Sequence, residues 1–412
     1  MGAWALTMRP AAAGSCIMLG VLAISAGLVL RSLTRSATSR REELYIKSPR
    51  TLLPGLSAEK IVALPYDPSI IPGGRDVLTP YGVIKVFEWG PEDGEKVLLM
   101  HGISTPCLAL ANLAEELVGR GYRVMLFDFF GRGYSDTPTD VRYDIRLYTT
   151  QILLVLASSS LPWTGDDGFH LVGYSLGGGI AVSFAQYFPH MVRSLVLVAG
   201  GGLIRPEHVS WQSKILYSTA GIIPERVLEY LVRRRITPAE STVTNEVKMA
   251  GEVVDVKQTT RSRNSDASGG DSYDNAVLRP GITVSAVMKW QLRHHAGFVP
   301  AFMSSIRYAP IYDRKDDWLA LGQLLDVRRG ARAGSEWSSA NGPPPPGLRG
   351  GRLLFVLGAT DPVIVQEELM HDATGLLGEE GFEAVLLDCG HEIVMTKGKE
   401  VADVAVSFWN NV

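Results

Sequence analysis

The sequence has few of the features that mark disulfide-rich, glycosylated or nucleic-acid-binding proteins. It contains only three cysteines, Cys16, Cys107 and Cys389, and no C-x-x-C pair. So sparse and odd a set argues against a disulfide framework and favours a protein that faces the cytosol. No N-x-S/T sequon occurs, and the 40 basic residues nearly balance the 43 acidic ones. Without a strong positive field, we expect no nucleic-acid partner.

Charge is also missing from one long stretch near the N-terminus. Residues 11–30, AAAGSCIMLGVLAISAGLVL, contain no charged side chain, and twenty such residues are about the length of a bilayer-spanning helix. Arginines flank the stretch at positions 9, 31, 35, 40 and 41. The sequence therefore predicts a single membrane anchor within residues 1–40, with the later basic flank placing the rest of the chain on the cytosolic side. A cleaved signal peptide or a mitochondrial presequence is the alternative. The organelle stays open between endoplasmic reticulum and mitochondrion.

Beyond residue 40, apolar runs of strand length alternate with helical patterns. Residues 41–74 are polar and are expected to form a stalk or linker. Strand-like runs then lie at 81–89, 96–102, 122–129, 169–175 and 192–200, and the pattern resumes at 351–361 and 382–391. Such alternation indicates a parallel sheet covered by helices on both faces. The sequence thus predicts an α/β catalytic domain formed by residues 75–202 and 351–412.

The segment between these two blocks, residues 203–350, has a different character. Aromatic-rich helical patterns occupy 211–235 and 288–325. Two polar stretches, about 237–280 and about 326–350, have the composition of disordered or linker segments, and the second contains GPPPPG. We therefore expect a helical insertion in the α/β domain, with two disordered polar segments inside it.

The stretch FHLVGYSLGGGIAVSFA, residues 169–185, surrounds one serine with glycines. Gly173-Tyr174-Ser175-Leu176-Gly177 is a G-x-S-x-G pattern between an expected buried strand and an expected helix. A sharp strand–turn–helix places the serine in a strained conformation, and neighbouring backbone leaves room only for glycine two residues before and after it. The pattern predicts that Ser175 is a nucleophile. The alternative is a glycine-rich packing turn with an ordinary serine.

A serine nucleophile needs a base, and the base needs an orienting carboxylate. His391 follows the last expected strand and is the candidate base; Asp361 follows the strand before it and is the candidate acid. Asp128 also ends a strand and competes for the acid role. The order Ser175, Asp361, His391 along the chain is typical of an α/β-hydrolase triad. Because HEIVM lacks the second histidine of H-E-x-x-H and Gly131-Arg132-Gly133 lacks the third glycine of a dinucleotide fingerprint, we expect neither a metal nor a cofactor.

Two backbone N–H groups are expected to bind the oxyanion that forms during acyl transfer. Leu176 follows the nucleophile and is expected to supply one donor. The other is expected from Ile103, in the turn after the strand VLLM, where His101 has a structural role. Removal of one such donor typically costs roughly 10²–10³ in rate.

Taken together, these segments resemble the α/β-hydrolase superfamily. The matching pieces are HG at 101–102, FDFFGRGYSD at 127–136, GYSLGG at 173–178, GATDPVI at 358–364 and GHEI at 390–393. The resemblance implies an eight-stranded, mostly parallel sheet with a helical lid between strands six and seven, and a structural role for Asp128. Within the superfamily the sequence is most similar to membrane-anchored lipases and esterases of the monoacylglycerol lipase kind.

We therefore expect a membrane-associated serine hydrolase acting on a small-molecule or lipid ester. An acyltransferase, thioesterase or carbon–carbon bond hydrolase with the same triad is one alternative, and a membrane-tethered scaffold without catalytic activity is another. The sequence identifies no protein partner.

Overall fold

The computed structural model describes residues 44–221, 223–238, 276–333 and 346–412. Its centre is an eight-stranded sheet. The sheet strands in chain order are β2 (Gly74–Thr79), β3 (Gly82–Trp89), β4 (Lys96–Met100), β5 (Arg123–Phe127), β7 (Phe169–Tyr174), β8 (Val192–Val198), β11 (Leu353–Gly358) and β12 (Phe382–Leu387). Two further pairs of short strands lie outside this sheet: β1 (Tyr45–Ile46) with β6 (Thr137–Pro138), and β9 (Val277–Arg279) with β10 (Ile282–Thr283).

The strand order in this sheet is β12-β11-β8-β7-β4-β5-β3-β2. The pairs from β12 to β5 are parallel, and β3 pairs antiparallel with both β5 and β2. Every residue of β7 and β11 is buried, which explains their continuous apolar sequences. The mostly parallel, eight-stranded sheet expected from the sequence is confirmed.

Helices cover the sheet on either side of these strands. They are α1 (Ala58–Val62), α2 (Ala111–Gly119), α3 (Ile145–Ala157), α4 (Leu176–Tyr187), α5 (Trp211–Leu216), α6 (Glu225–Ile236), α7 (Val284–His294), α8 (Phe298–Tyr308), α9 (Lys315–Ala333), α10 (Gln366–Leu377), α11 (Ile393–Thr396) and α12 (Gly398–Asn411). Helix α2 packs against α12, whereas α4 packs against α3 and α9. Parallel neighbours joined by helices bring the C-terminal ends of β7, β11 and β12 to one edge of the sheet.

The chain between the sixth and seventh strands of the sheet, β8 and β11, carries helices α5 to α9 and the β9–β10 hairpin. Residues 239–275, which hold most of the first segment expected to be disordered, and residues 334–345, which hold about half of the second, lie outside the described residues. The described ends of those segments differ from that expectation. β9 pairs with β10, and α9 continues to Ala333. Arg329 pairs with Asp326 one turn earlier and donates to the Gly351 carbonyl, so these polar residues stabilise helix instead of linker.

Residues 45–73 also differ from the expected stalk, because they pack on the α/β domain. β1 pairs with β6, and the Ser48 amide donates to Asp136 Oδ1 at 2.7 Å. Tyr66 is completely buried, and its carbonyl accepts the Tyr134 hydroxyl. A few buried side chains among polar neighbours are enough to attach this segment to the domain. The average polarity of the segment did not predict this attachment.

Within the described residues, no helix is both long and apolar enough to cross a membrane. The span expected at residues 11–30 lies outside the described part of the chain.

Candidate active site

Ser175 lies in the turn between β7 and α4, with φ 52° and ψ −118°. This positive φ is unfavourable for a residue with a Cβ and marks a strained turn. The neighbouring backbone explains the glycines on either side. A Cβ at Gly173 would lie 2.4 Å from the Gly177 carbonyl oxygen, and a Cβ at Gly177 would lie 2.4 Å from that of Met100. Larger residues at either position would therefore force the turn apart.

The turn brings Ser175 to His391, and His391 to Asp361. His391 Nε2 lies 3.0 Å from Ser175 Oγ, and His391 Nδ1 lies 2.8 Å from Asp361 Oδ2. With Nδ1–H donating to the carboxylate, Nε2 is left to accept the serine proton. The second carboxylate oxygen, Oδ1, accepts the amides of Val363 at 2.7 Å and Ile364 at 3.0 Å. The side chains of His391 and Asp361 are each only 1% exposed, so this chain of hydrogen bonds is shielded from water.

Tyr174, the residue before the serine, connects the turn to the loop that carries His391. Its hydroxyl donates to the His391 carbonyl at 2.8 Å, and the two rings lie 5.4 Å apart at 35°. A Cβ at Gly102 would lie 3.2 Å from the Tyr174 ring, so the tyrosine also touches the turn after β4. Sequence reasoning did not identify this role; the only signal was the position of Tyr174 inside the G-x-S-x-G motif.

The turn after β4 passes next to Ser175. A Cβ at Gly102 would lie 3.4 Å from Ser175 Cβ, which places Ile103 one residue further along the same turn. Leu176 is the first residue of α4, where backbone amides have no partner from the preceding turn of the helix. Ile103 and Leu176 are thus each next in the chain to a residue of the serine turn or of the turn beside it, and their role as oxyanion donors stays a prediction.

His101 holds this turn and does not reach the serine. Its Nδ1 hydrogen-bonds the Gly102 carbonyl at 2.7 Å, while its Nε2 accepts the Phe129 amide at 2.9 Å. Complete burial lowers the pKa of His101 to about 3, so the ring is neutral at physiological pH. Because Gly102 C=O and Ile103 N–H belong to one peptide group, His101 also fixes the direction of the Ile103 N–H.

The Asp128 carboxylate likewise forms hydrogen bonds with backbone amides and not with His391. It accepts the amides of Cys107 and Tyr134, each at 2.9 Å, and the hydroxyl of Tyr66. Burial raises the pKa of Asp128 to about 6 despite these donors. The carboxylate that meets His391 is that of Asp361, and Asp128 organises the loop after β5.

Cys389, two residues before His391, is not a competing nucleophile. Burial raises the pKa of the Cys389 thiol to about 12, so it is not a thiolate nucleophile at neutral pH. Among the described residues, no group of three His, Cys, Asp or Glu side chains is arranged to hold a metal ion.

A small open pocket lies between the beginning of the insertion and the loop that follows Asp361. Its wall includes Leu203, Ile204, Val363 and Ile364, and Gly200 borders it on the side of the serine turn. The wall of this pocket is thus predominantly apolar, although Arg205 of the insertion and Glu368 of α10 also line it.

Comparison with known sequences agrees with this arrangement. The profile of the family described as the alpha/beta hydrolase fold matches residues 96–398. A serine hydrolase-like protein of Danio rerio is 30% identical over 129 residues, which is 31% of this chain and 38% of that protein. The 2-hydroxy-6-oxo-2,4-heptadienoate hydrolase of Pseudomonas putida is 32% identical over 112 residues, 27% of this chain and 39% of that enzyme. This chain therefore spans less than two fifths of the length of these relatives.

Solved structures show the same fold at lower sequence identity. A membrane phospholipase A, described as a bacterial virulence factor, superposes with a TM-score of 0.52 at 16% identity, covering 94% of this chain and 98% of that one. The 2-hydroxy-6-oxo-6-phenylhexa-2,4-dienoate hydrolase of Rhodococcus gives a TM-score of 0.51 at 15% identity, covering 82% and 98%. At such identities the likeness concerns the fold.

Proposed function

Because this chain belongs to the α/β-hydrolase fold family, we propose that it is a serine hydrolase that cleaves hydrophobic carboxylic esters at a membrane. The observation that carries the proposal is the hydrogen-bonded series Ser175–His391–Asp361, with both distances at 3.0 Å or less. In this order the hydroxyl can act as the nucleophile, the imidazole as its general base, and the carboxylate as the group that orients the imidazole.

The reaction proceeds by acyl transfer through a covalent intermediate. Ser175 Oγ attacks the ester carbonyl carbon as His391 Nε2 takes the hydroxyl proton, and Asp361 stabilises the resulting imidazolium. The tetrahedral oxyanion accepts hydrogen bonds from the amides of Ile103 and Leu176. As the intermediate collapses, the carbon–oxygen bond breaks and His391 gives its proton to the departing alcohol. Water, deprotonated by His391, then attacks the acyl-enzyme and releases the acid.

The surroundings of the triad support a hydrophobic substrate. Leu203, Ile204, Val363 and Ile364 line the pocket beside the Asp361 loop. Transfer of apolar surface into such a pocket contributes roughly 25 cal/mol per Å². The expected N-terminal anchor would hold the site near esters that partition into a bilayer.

Carbon–carbon bond hydrolysis is the second candidate function. It is favoured by the match to the Pseudomonas putida 2-hydroxy-6-oxo-2,4-heptadienoate hydrolase. The two candidates differ in the bond that the same triad would break, so dienoate substrates belong in the same assay as esters.

The test is hydrolysis by the full chain of monoacylglycerols and p-nitrophenyl esters over a series of acyl lengths, beside a Ser175→Ala control. We expect turnover that peaks at one acyl length and falls by at least about 10³-fold in the control. Turnover of dienoates with none of esters would support the second candidate. Equal turnover by Ser175→Ala would refute the serine mechanism.

A further inference from the structure

Three consecutive carbonyls of the turn beside Ser175 each accept a hydrogen bond from a buried side chain. His101 Nδ1–H donates to the Gly102 carbonyl at 2.7 Å, and Arg132 Nε donates to that of Ile103 at 2.9 Å. The third carbonyl, on Ser104, accepts Gln291 Nε2 at 3.0 Å. Such a run fixes the peptide planes of the turn, and the N–H of Ile103 with them.

Two of these three hydrogen bonds depend on the insertion between β8 and β11. Gln291 belongs to α7, 187 positions from Ser104 along the chain, and is fully buried. Arg132 is supported from α8, because its Nη2 donates to Ser305 Oγ at 2.9 Å. The insertion therefore contacts, directly and through Arg132, the turn that carries the expected oxyanion donor.

Both the Nε2 and the Oε1 atoms of Gln291 form hydrogen bonds. While Nε2 donates to Ser104, Oε1 accepts the Gly133 amide at 2.9 Å. The side chain thus fastens the turn after β4 to the loop after β5. An apolar residue here would remove both hydrogen bonds that join the two loops, and the turn after β4 would be held less firmly.

We propose that Gln291 is a positioning residue for the oxyanion hole, so that the insertion takes part in catalysis as well as covering the site. This inference rests on the proposed function, since it requires that Ile103 N–H binds an oxyanion. A shift of about 1 Å in such a donor can cost on the order of 10² in rate. The effect should fall on the transition state, because the ground-state ester carries no full charge on its carbonyl oxygen.

The experiment compares Gln291→Met with Ser194→Ala in the full chain. Ser194 is the control because its buried hydroxyl hydrogen-bonds His170 Nδ1 at 2.7 Å near the beginning of β7 and β8, whereas Ser175 follows the end of β7. On p-nitrophenyl acetate we expect kcat per labelled active site to fall by about 10- to 100-fold in Gln291→Met, with KM nearly unchanged. Ser194→Ala should lose thermal stability with less than about a threefold change in kcat.

The inhibition constant of a trifluoromethyl ketone provides a second measurement, which should not change if Gln291 only stabilises the fold. The ketone forms a tetrahedral adduct with the serine, so its inhibition constant should rise in Gln291→Met by the same factor as kcat/KM falls. A Gln291→Met enzyme with unchanged kcat and unchanged ketone affinity would overturn the inference. So would equal losses of kcat in Gln291→Met and Ser194→Ala.

If Gln291→Met does not fold, Ser305→Ala tests the same support through Arg132. Its neighbour Ser304→Ala is the control, since Ser304 Oγ accepts the Tyr143 amide at 3.1 Å and does not contact Arg132. We expect a severalfold fall in kcat for Ser305→Ala alone, and equal values for the two variants would contradict the inference. A wild-type chain in which Ser175 is inert to fluorophosphonate would instead overturn the proposed function, and this inference with it.

Discussion

Two buried histidines near the active site are held in the neutral form. Burial lowers the pKa of His101 to about 3 and that of His295 to about 4, and the nearby Arg132 charge acts in the same direction. Nε2 of His295 hydrogen-bonds the Ser135 carbonyl at 3.0 Å, much as His101 holds Gly102. Protonation of His101 would convert Nε2, the acceptor of the Phe129 amide, into a donor. Acidification should therefore destabilise the turn beside Ser175.

The pKa values of His101 and His295 predict that the protein loses stability on mild acidification. In the unfolded chain a histidine has a pKa near 6.5, so between about pH 4 and pH 6.5 the unfolded state binds two protons that the folded state does not. Asp128, whose pKa is raised to about 6, acts in the opposite direction and offsets only one of them. We expect the free energy of unfolding, measured in urea, to fall as pH is lowered from 7 to 4.5.

His295→Gln is the variant that isolates one of these protons. A glutamine amide can still donate to the Ser135 carbonyl, but it does not titrate. The slope of unfolding free energy against pH should therefore become shallower by up to about 1.4 kcal/mol per pH unit. An unchanged slope, or a wild type that is more stable at pH 4.5 than at pH 7, would contradict the expected neutral state of His295.

Residues in short motifs at strand ends were the easiest to predict. Ser175, Asp361 and His391 each follow a strand of the parallel sheet, which brings the ends of those strands together. Tyr174 and Gln291 were not predicted, because their partners lie 217 and 187 positions away and no local pattern marks such contacts.

At the scale of elements, the insertion has two parts. Helices α7 and α8 are tied to the domain by Gln291 and Ser305 through the buried hydrogen bonds described above. Helices α5 and α6 instead present large apolar side chains to solvent: Trp211 is 68% exposed and Tyr230 is 62% exposed. Val227 and Leu231 are exposed on the same face of α6 as Tyr230, opposite the buried Leu228 and Val232.

From the exposed apolar side chains of α5 and α6 we predict a preference for esters held in a membrane. The double variant Trp211→Ala and Tyr230→Ala should hydrolyse a long-chain monoacylglycerol in vesicles at least about fivefold more slowly, because it buries less apolar surface at the interface. Its activity on water-soluble p-nitrophenyl acetate should be unchanged. The control is Val62→Ala with Leu78→Ala, which removes exposed apolar groups elsewhere. Equal losses in both double variants, or a loss on the soluble ester as well, would exclude a role for this face.

Elements with continuous apolar sequences were predicted well, and polar ones poorly. The buried strands β7, β8 and β11 lie where the sequence placed them. Residues 45–73 were expected to be a stalk, yet Tyr66 and Ser48 attach them to the domain. The last turns of α9 were expected to be disordered, yet Arg329 pairs within them. In both cases a few specific contacts outweigh the average polarity of the segment.

At the scale of the whole molecule, the α/β domain supplies the proposed nucleophile, base and acid, and the insertion contacts the turn after β4 beside them. His391 and Asp361 come from the chain after the insertion, whereas Ser175 and Ile103 come from the chain before it. The site therefore forms only when the parts of the domain before and after the insertion pack together. Family membership could be predicted from the motifs, but the contribution of the insertion could not, because it depends on tertiary contacts of Gln291 and Ser305.

The most direct test of the central claim is to find which residue becomes covalently modified. The full chain, treated with a fluorophosphonate and digested, should carry one phosphonyl group on the peptide that contains Ser175, and Ser175→Ala should carry none. Asp361→Asn should be labelled much more slowly, since its His391 loses the partner that orients it. A label on another residue, or none on the wild type, would contradict the assignment of Ser175 as the nucleophile.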